Sequence, residues 1–339
     1  MNDELRALLT LLGVEGLESP DAWKRVLMVL NHGCVPARHG MPDWGFKLLI
    51  LDDQGRPEWF GRCSWTSRVE MERETTVLEA LTADPYGRER IPEVRTGHTP
   101  RLFLQISRHL GVRAYGGALP RRSPRQWSDD VAGIVDVSEA LMARATVLLP
   151  ELRTHSTADA RQSSVRADLA RITAAGVSSE ALSGVAAALD RVRDLPFTLQ
   201  HGDLWPANVL RRDGRWWLID FAECGFVWVP LYDVFHMLHN APPAARHAWY
   251  GSEHERVMDE WSRTRWSLLR RFAGALGLSR RDVGTCLVFY LVHLAAYRLR
   301  PGVPLMWSTR LLESIERVGR QLAAGAEVEH LLPWGTSTP

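Results

Sequence analysis

Leu199 to Phe221 read LQHGDLWPANVLRRDGRWWLIDF, two mainly apolar runs joined at Asp213-Gly214, with His201, Asp203, Asn208 and Asp220 set in or beside them. Asp-Gly between apolar runs is the strongest short-range hairpin signal, because both residues tolerate the positive φ of a type I′ turn. With that pair as the loop, Leu210 faces Trp217, Val209 faces Leu218 and Asn208 faces Ile219. Asn208 and Asp220 then open and close one hairpin as near neighbours, since paired residues lie roughly 5 Å apart. An amide oxygen and a carboxylate converging there, with Asp203 just upstream, are hard-oxygen ligands of the magnesium type, which also keeps waters and takes substrate phosphates. Taken singly, each residue has a plainer reading. Asp and Asn at strand ends form turns and caps, and a lone histidine is often a hydrogen-bonded structural one. The joint spacing favours the site.

His201-Gly202-Asp203 through Asn208 has the spacing His-x-Asp-x-x-x-x-Asn, followed by a strand ending Leu218-Ile219-Asp220-Phe221. This resembles the catalytic loop and metal-binding segment of the protein-kinase-like fold. The glycine after the histidine makes the segment similar to the aminoglycoside phosphotransferase family rather than to protein kinases. Gly225, Pro230 and Asp233 in CGFVWVPLYDV resemble that family's segment after the metal aspartate. The resemblance implies an α+β, bilobal protein-kinase-like fold, with a small mixed β-sheet lobe and a larger, mainly helical lobe.

The whole chain is compatible with that. Its 339 residues suffice for two lobes, and 45% hydrophobic with 24% charged residues is ordinary for a globular protein. A net charge of +1 gives no electrostatic reason to expect a nucleic-acid or membrane surface. Cys34, Cys63, Cys224 and Cys286 are scattered, without a Cys-x-x-Cys pair, and read as reduced, packed thiols of a cytoplasmic protein. The start, MNDELRALLTLLG, lacks the layout of a signal peptide. No apolar run approaches the roughly 18 residues that suggest a membrane span.

Residues Asp3 to Leu12 and Pro20 to Leu30 read as helical or partly so. From Trp44 the period predicts two strands around Asp52–Arg56, a helix from Arg68 to Leu81 striped by Met71, Thr75, Leu78 and Leu81, and two short strands around Gly97. Helices are expected around Asp136–Leu149, Ala158–Ala174, Ser179–Arg193, Trp261–Leu276, Arg281–Arg298 and Ser308–Ala324. Residues 1–108 are therefore expected to form a nucleotide-binding lobe and 109–339 a catalytic and acceptor-binding lobe.

Glu74 stands out on physical grounds alone, because it falls on the apolar stripe of its helix. A buried carboxylate needs a partner, and the neighbouring strand offers Arg62. The resemblance implies a strand lysine on the nucleotide phosphates, paired with a helix glutamate. Glu74 matches that glutamate, but the matching strand position is Arg62. The chain has only two lysines, Lys24 and Lys47. Either Arg62 clamps the phosphates, or Lys47 reaches in from the preceding strand, or nucleotide binding is weak; a plain surface ion pair of Arg62 with Glu74 is the bland alternative. The glycines of NHGCVPARHGMPDWG, Gly33, Gly40 and Gly45, lack the Gly-x-Gly-x-x-Gly pattern of a phosphate-covering loop.

The resemblance implies an ATP-dependent phosphotransferase using Mg2+, with GTP as a possible donor, acting on a hydroxyl of a small molecule. In that reading Asp203 orients the acceptor and accepts its proton, Asn208 and Asp220 hold magnesium, His201 and Asp233 brace the loop, and Glu74 holds Arg62 on the phosphates. The many tryptophans of the second half, Trp205, Trp228, Trp249, Trp261, Trp266 and Trp307, offer faces for a sugar, nucleoside or glycosylated or aminoglycoside antibiotic, and aromatic boxes also suit a choline- or amino-alcohol-type acceptor. The alternative is a kinase-like binding or scaffolding module without transfer.

Overall fold

The computed structural model describes residues 3–14, 25–30, 45–64, 68–99, 102–112, 114–115, 124–155, 157–240, 253–299 and 306–331. The chain divides into two compact units. The first is Met1–Arg113 with Leu210–Ala222 and Arg300–Gly302; the second is Ala114–Val209, Glu223–Leu299 and Val303–Pro339.

In the first unit a five-stranded sheet has the order β1-β2-β3-β5-β4, from β1 (Val26–Leu30), β2 (Gly45–Leu51), β3 (Pro57–Ser64), β4 (Val94–His98) and β5 (Phe103–Arg108). Adjacent strands are antiparallel. Strand side chains alternate between faces, and here the two faces differ sharply. One carries Leu48, Ile50, Trp59, Cys63, Leu104 and Ile106, buried in a single cluster with Leu5, Leu8, Leu9 and Leu12 around helix α1 (Asp3–Leu11). The other carries a polar row: Lys47 pairs with Arg62, Arg62 with Gln105, and Gln105 with Thr96. Helix α2 (Arg68–Ala83) packs on β4 and β5, where Thr96 Oγ1 donates to Glu79 at 3.1 Å.

Two expectations are corrected. Val26–Leu30, read as part of a helix, is the edge strand β1; its branched, all-apolar run carries no helical period and pairs along β2. Gly97, expected between two strands, lies inside β4, where a Cβ would come within 3.2 Å of Leu8 and 3.3 Å of Leu12. The missing side chain lets α1 approach the sheet.

The expected hairpin is present. β6 (Val209–Arg212) and β7 (Arg215–Leu218) form a two-stranded sheet, and Asp213 and Gly214 both have positive φ, 50° and 76°. It is pinned within the first unit: Leu218 N–H donates to Arg90 O at 2.9 Å, and Arg215 reaches Glu89 at 2.8 Å, both partners lying beside the short helix α3 (Pro85–Arg88).

The second unit is helical: α4 (Pro124–Leu148), α5 (Ala158–Ala174), α6 (Ser179–Leu189), α7 (Tyr232–Asn240), α8 (Glu253–Ala275), α9 (Arg280–Arg298) and α10 (Met306–Ala323). Helix α4 starts well before the expected Asp136, because buried Trp127, Val131, Ile134 and Val135 continue its apolar face. Helix α9 begins at a capping box between Ser279 and Asp282, which satisfies its first amides. It is largely buried, with Val283, Cys286, Phe289, Tyr290 and Leu294 among its core residues. Among the described residues no helix is long and apolar enough to cross a membrane. Cys63, Cys224 and Cys286 are buried. The glycines and cysteine of NHGCVPARHGMPDW, residues 31–44, lie outside the described residues, as do Trp249 and the side chains of Trp261 and Trp307.

Candidate active site

The loop His201–Asn208 belongs to the second unit and is held by a buried aspartate. His201 is fully buried, and its backbone N–H donates to Asp233 Oδ2 at 2.7 Å; the N–H of Gly202 donates to Oδ1 at 2.9 Å. Ser138 on α4 donates to Asp233 Oδ2 at 3.4 Å, and the N–H of Asp233 donates in turn to Gln200 Oε1 at 3.0 Å. Burial pushes the Asp233 carboxyl above its usual range, opposed by His201 and by the two backbone donors. Gly202 has φ +87°, and a Cβ there would lie 2.7 Å from Glu223 Cβ and 2.8 Å from its carbonyl oxygen. Glycine after the histidine is therefore a steric requirement of this loop.

The loop ends in a single 3-10 turn, Pro206–Asn208, entered through Trp205. Asn208 turns back on Asp203: its Nδ2 donates to Asp203 Oδ2 at 2.8 Å and to the Asp203 carbonyl at 2.9 Å. That leaves the Asn208 side-chain oxygen as its acceptor. The other Asp203 oxygen, Oδ1, lies 3.1 Å from Nε2 of His236 on α7, and Nδ1 of His236 lies 3.4 Å from the Tyr290 hydroxyl on α9. Asp203 keeps 37% of its side-chain surface exposed while His236 keeps 5%. Two residues before Asp233, buried Leu231 has φ +63°. A bulky residue rarely adopts that conformation, and such strain gathers at functional segments.

The other expected residues meet in the first unit. Glu74 is 3% exposed, as its place on the α2 stripe predicts, and it pairs with Arg62 Nη2. The same nitrogen lies 3.1 Å from Gln105 Oε1, and Nη1 lies 3.2 Å from Asp220 Oδ1. The Phe221 N–H donates to the second Glu74 oxygen at 3.1 Å. Burial raises the Glu74 carboxyl, with Arg62 pulling it down and Asp220 pushing it up. Asp220 itself has φ +66°, which aspartate tolerates better than most residues. Lys47 is exposed and shares the sheet face of Arg62 as its cross-strand partner.

Sequence reasoning missed His236, Tyr290 and the pairing of Gln105 with Arg62; it named Gln105 only as the start of a segment, Gln105 to His109, expected to lie against the nucleotide base. His236 stands three residues after Asp233, hence on the same face of α7, and that spacing was the available signal. The pairing is visible only once register places Gln105 opposite Arg62. Among the described residues no three His, Cys, Asp or Glu side chains form a metal-binding group. A carboxylate such as that of Asp220 and an amide oxygen such as that of Asn208 are each donors of the hard-oxygen kind that magnesium takes, beside waters and phosphates.

A five-stranded antiparallel sheet with a Glu–Arg pair, followed by a helical unit holding a His-Gly-Asp loop, defines a protein-kinase-like α+β fold. The chain belongs to the phosphotransferase enzyme family (APH), whose family model matches residues 48–266. Among solved structures it is similar to an ADP-bound aminoglycoside phosphotransferase, APH(2'')-Ib, with TM-score 0.56 and 11% identity over 95% of this chain and 99% of that one. The gentamicin complex of APH(2'')-IIa gives a TM-score of 0.52 at 10% identity over 98% and 99%. A glucosamine kinase in complex with glucosamine, ADP and inorganic phosphate gives 0.47 at 15% over 91% and 83%. At these identities the likeness is one of fold. No curated protein matches the chain in sequence.

Proposed function

We propose that this chain transfers the γ-phosphoryl group of Mg-ATP, or of Mg-GTP, to a hydroxyl of a small molecule. The observation that carries the reading is the Asp203 carboxylate, partly exposed and gripped at both oxygens. A carboxylate fixed in this way can orient an acceptor hydroxyl and take its proton, and phosphoryl transfer asks of the protein mainly such positioning and charge neutralisation. Asn208 and Asp220 would hold magnesium, which when bound neutralises charge on the phosphates. Arg62 would bind phosphate oxygens through its planar fork, held in place by Glu74 and Gln105. His201 and Asp233 brace the loop, and residues 1–108 and 109–339 serve as nucleotide-binding and catalytic lobes. Trp205, 39% exposed and two residues after Asp203 in the sequence, offers an exposed ring on the same loop. A sugar, nucleoside or glycosylated antibiotic acceptor suits such a face.

The test is thermal unfolding of the wild type and Asp220→Asn with Mg-ATP, Mg-GTP and metal-free controls. Ligand at 100 times its dissociation constant stabilises the native state by about 2.7 kcal/mol. Magnesium-dependent stabilisation that disappears in Asp220→Asn is expected. If no nucleotide shifts the wild type at millimolar concentration, the scaffolding reading takes its place.

A further inference from the structure

His236 is buried at 4% exposure, yet its Nε2 faces the partly exposed carboxylate of the His-Gly-Asp loop. Resting on the phosphotransferase reading, we infer that His236 is a positioning residue for Asp203. As the Nε2–H tautomer, selected by Tyr290, it donates to Oδ1 and aims the carboxylate at the acceptor hydroxyl.

The argument begins at Tyr290, whose hydroxyl lies 3.4 Å from Nδ1 of His236. Burial raises the phenol far above its ordinary range, with the Asp203 charge adding to the rise and Arg298 opposing it, so the group stays protonated. A phenol that donates to Nδ1 makes that nitrogen the acceptor, and the neutral ring then carries its proton on Nε2. Nε2 faces Asp203 Oδ1 at 3.1 Å, and an ionised carboxylate can only accept. The ring lies nearly parallel to that of Tyr232 and edge-on to that of Tyr290, with centroids 6.1 Å away in both cases.

Asn208 already donates to Oδ2. One donor leaves a carboxylate free to swing about its terminal torsion, which is broad; two donors on opposite oxygens remove that freedom. The second donor comes from the same face of α7 as Asp233, which binds the backbone of the same loop. One helix face therefore holds the loop twice, the backbone through Asp233 and the side chain through His236.

The experiment uses the full chain with nitrogen-15 histidine. The wild type is expected to show His236 as a single Nε2–H tautomer, the resonance to move in Asp203→Asn, and Tyr290→Phe to give a mixture of tautomers. Kinetics with Mg-ATP follow for two variants. His236→Leu lowers kcat on the order of 10²-fold with little change in nucleotide KM, the scale expected for a misplaced catalytic group. His236→Gln, whose amide N–H can stand in for Nε2–H, recovers to within about tenfold of wild type. An Nδ1–H tautomer, a resonance indifferent to Asp203→Asn, or a glutamine variant as poor as leucine each overturns the inference. If the wild type transfers no phosphoryl group, the phosphotransferase reading fails, while the imidazole resonances still decide whether His236 grips Asp203.

Discussion

Each unit buries one acid beside its functional residues, and the two acids are answered differently. Glu74 in the first unit, 3% exposed, is met by a guanidinium and one backbone N–H. Asp233 in the second, 4% exposed, accepts from two successive backbone amides and a serine hydroxyl. An acid bonded to a long cationic side chain fixes where that side chain points; an acid bonded to consecutive amides fixes the chain itself. The first arrangement tolerates rearrangement, because Arg62 also touches Gln105 and Asp220. The second gives two buried N–H groups their carboxylate acceptor.

Asp233→Ala is therefore expected to have the largest effect. Orphaning the amides of His201 and Gly202 should cost about 4 kcal/mol, read by denaturant unfolding, since each unsatisfied buried group costs roughly 1–3 kcal/mol. Glu74→Ala should cost less, about 3 kcal/mol, because Arg62 keeps its other partners and some water. Its more telling consequence is lost nucleotide-dependent stabilisation with the Asp233 network intact. A Glu74 variant costing more than Asp233→Ala would break the comparison.

The smallest effect concerns Glu139 on α4, whose carboxyl is pushed up to about 7 by burial, with Asp136 and Asp233 adding to the rise and Arg271 opposing it. The folded state then holds a proton that the unfolded chain, with the ordinary glutamate value of 4.5, has released. The sign follows: the contribution is fully favourable below pH 4.5 and is lost as pH rises through about 7. Partial exposure screens the group, so the loss should be about 1 kcal/mol. Glu139→Gln should flatten that slope in urea unfolding at about pH 5 and about pH 8. An unchanged slope would mean that burial and the charges of Asp136 and Asp233 do not hold the proton on Glu139.

Motif spacing made the His-Gly-Asp loop, the hairpin and Asp220 legible, because those features are local in sequence. Glu74 was legible as a charge on an apolar stripe, and its partner Arg62 followed from adjacency of strand and helix. β1 was not, since an unalternating run such as Val26–Leu30 carries no period that separates a strand from a buried helix. His236 and Tyr290 were hidden for another reason: their meeting depends on how α7 and α9 pack, and 54 residues separate them.

The row Lys47, Arg62, Gln105 and Thr96 also bears on how this sequence can change over generations. Arg62 serves Glu74, Gln105 and Asp220 from two nitrogens. A lysine there would bring one compact ammonium on a single stem and could not span the same fork. Exchange of Arg62 for lysine is thus a step with two parts, passable only when Gln105 is replaced by a residue that needs no donor. The two positions should be inherited as a pair.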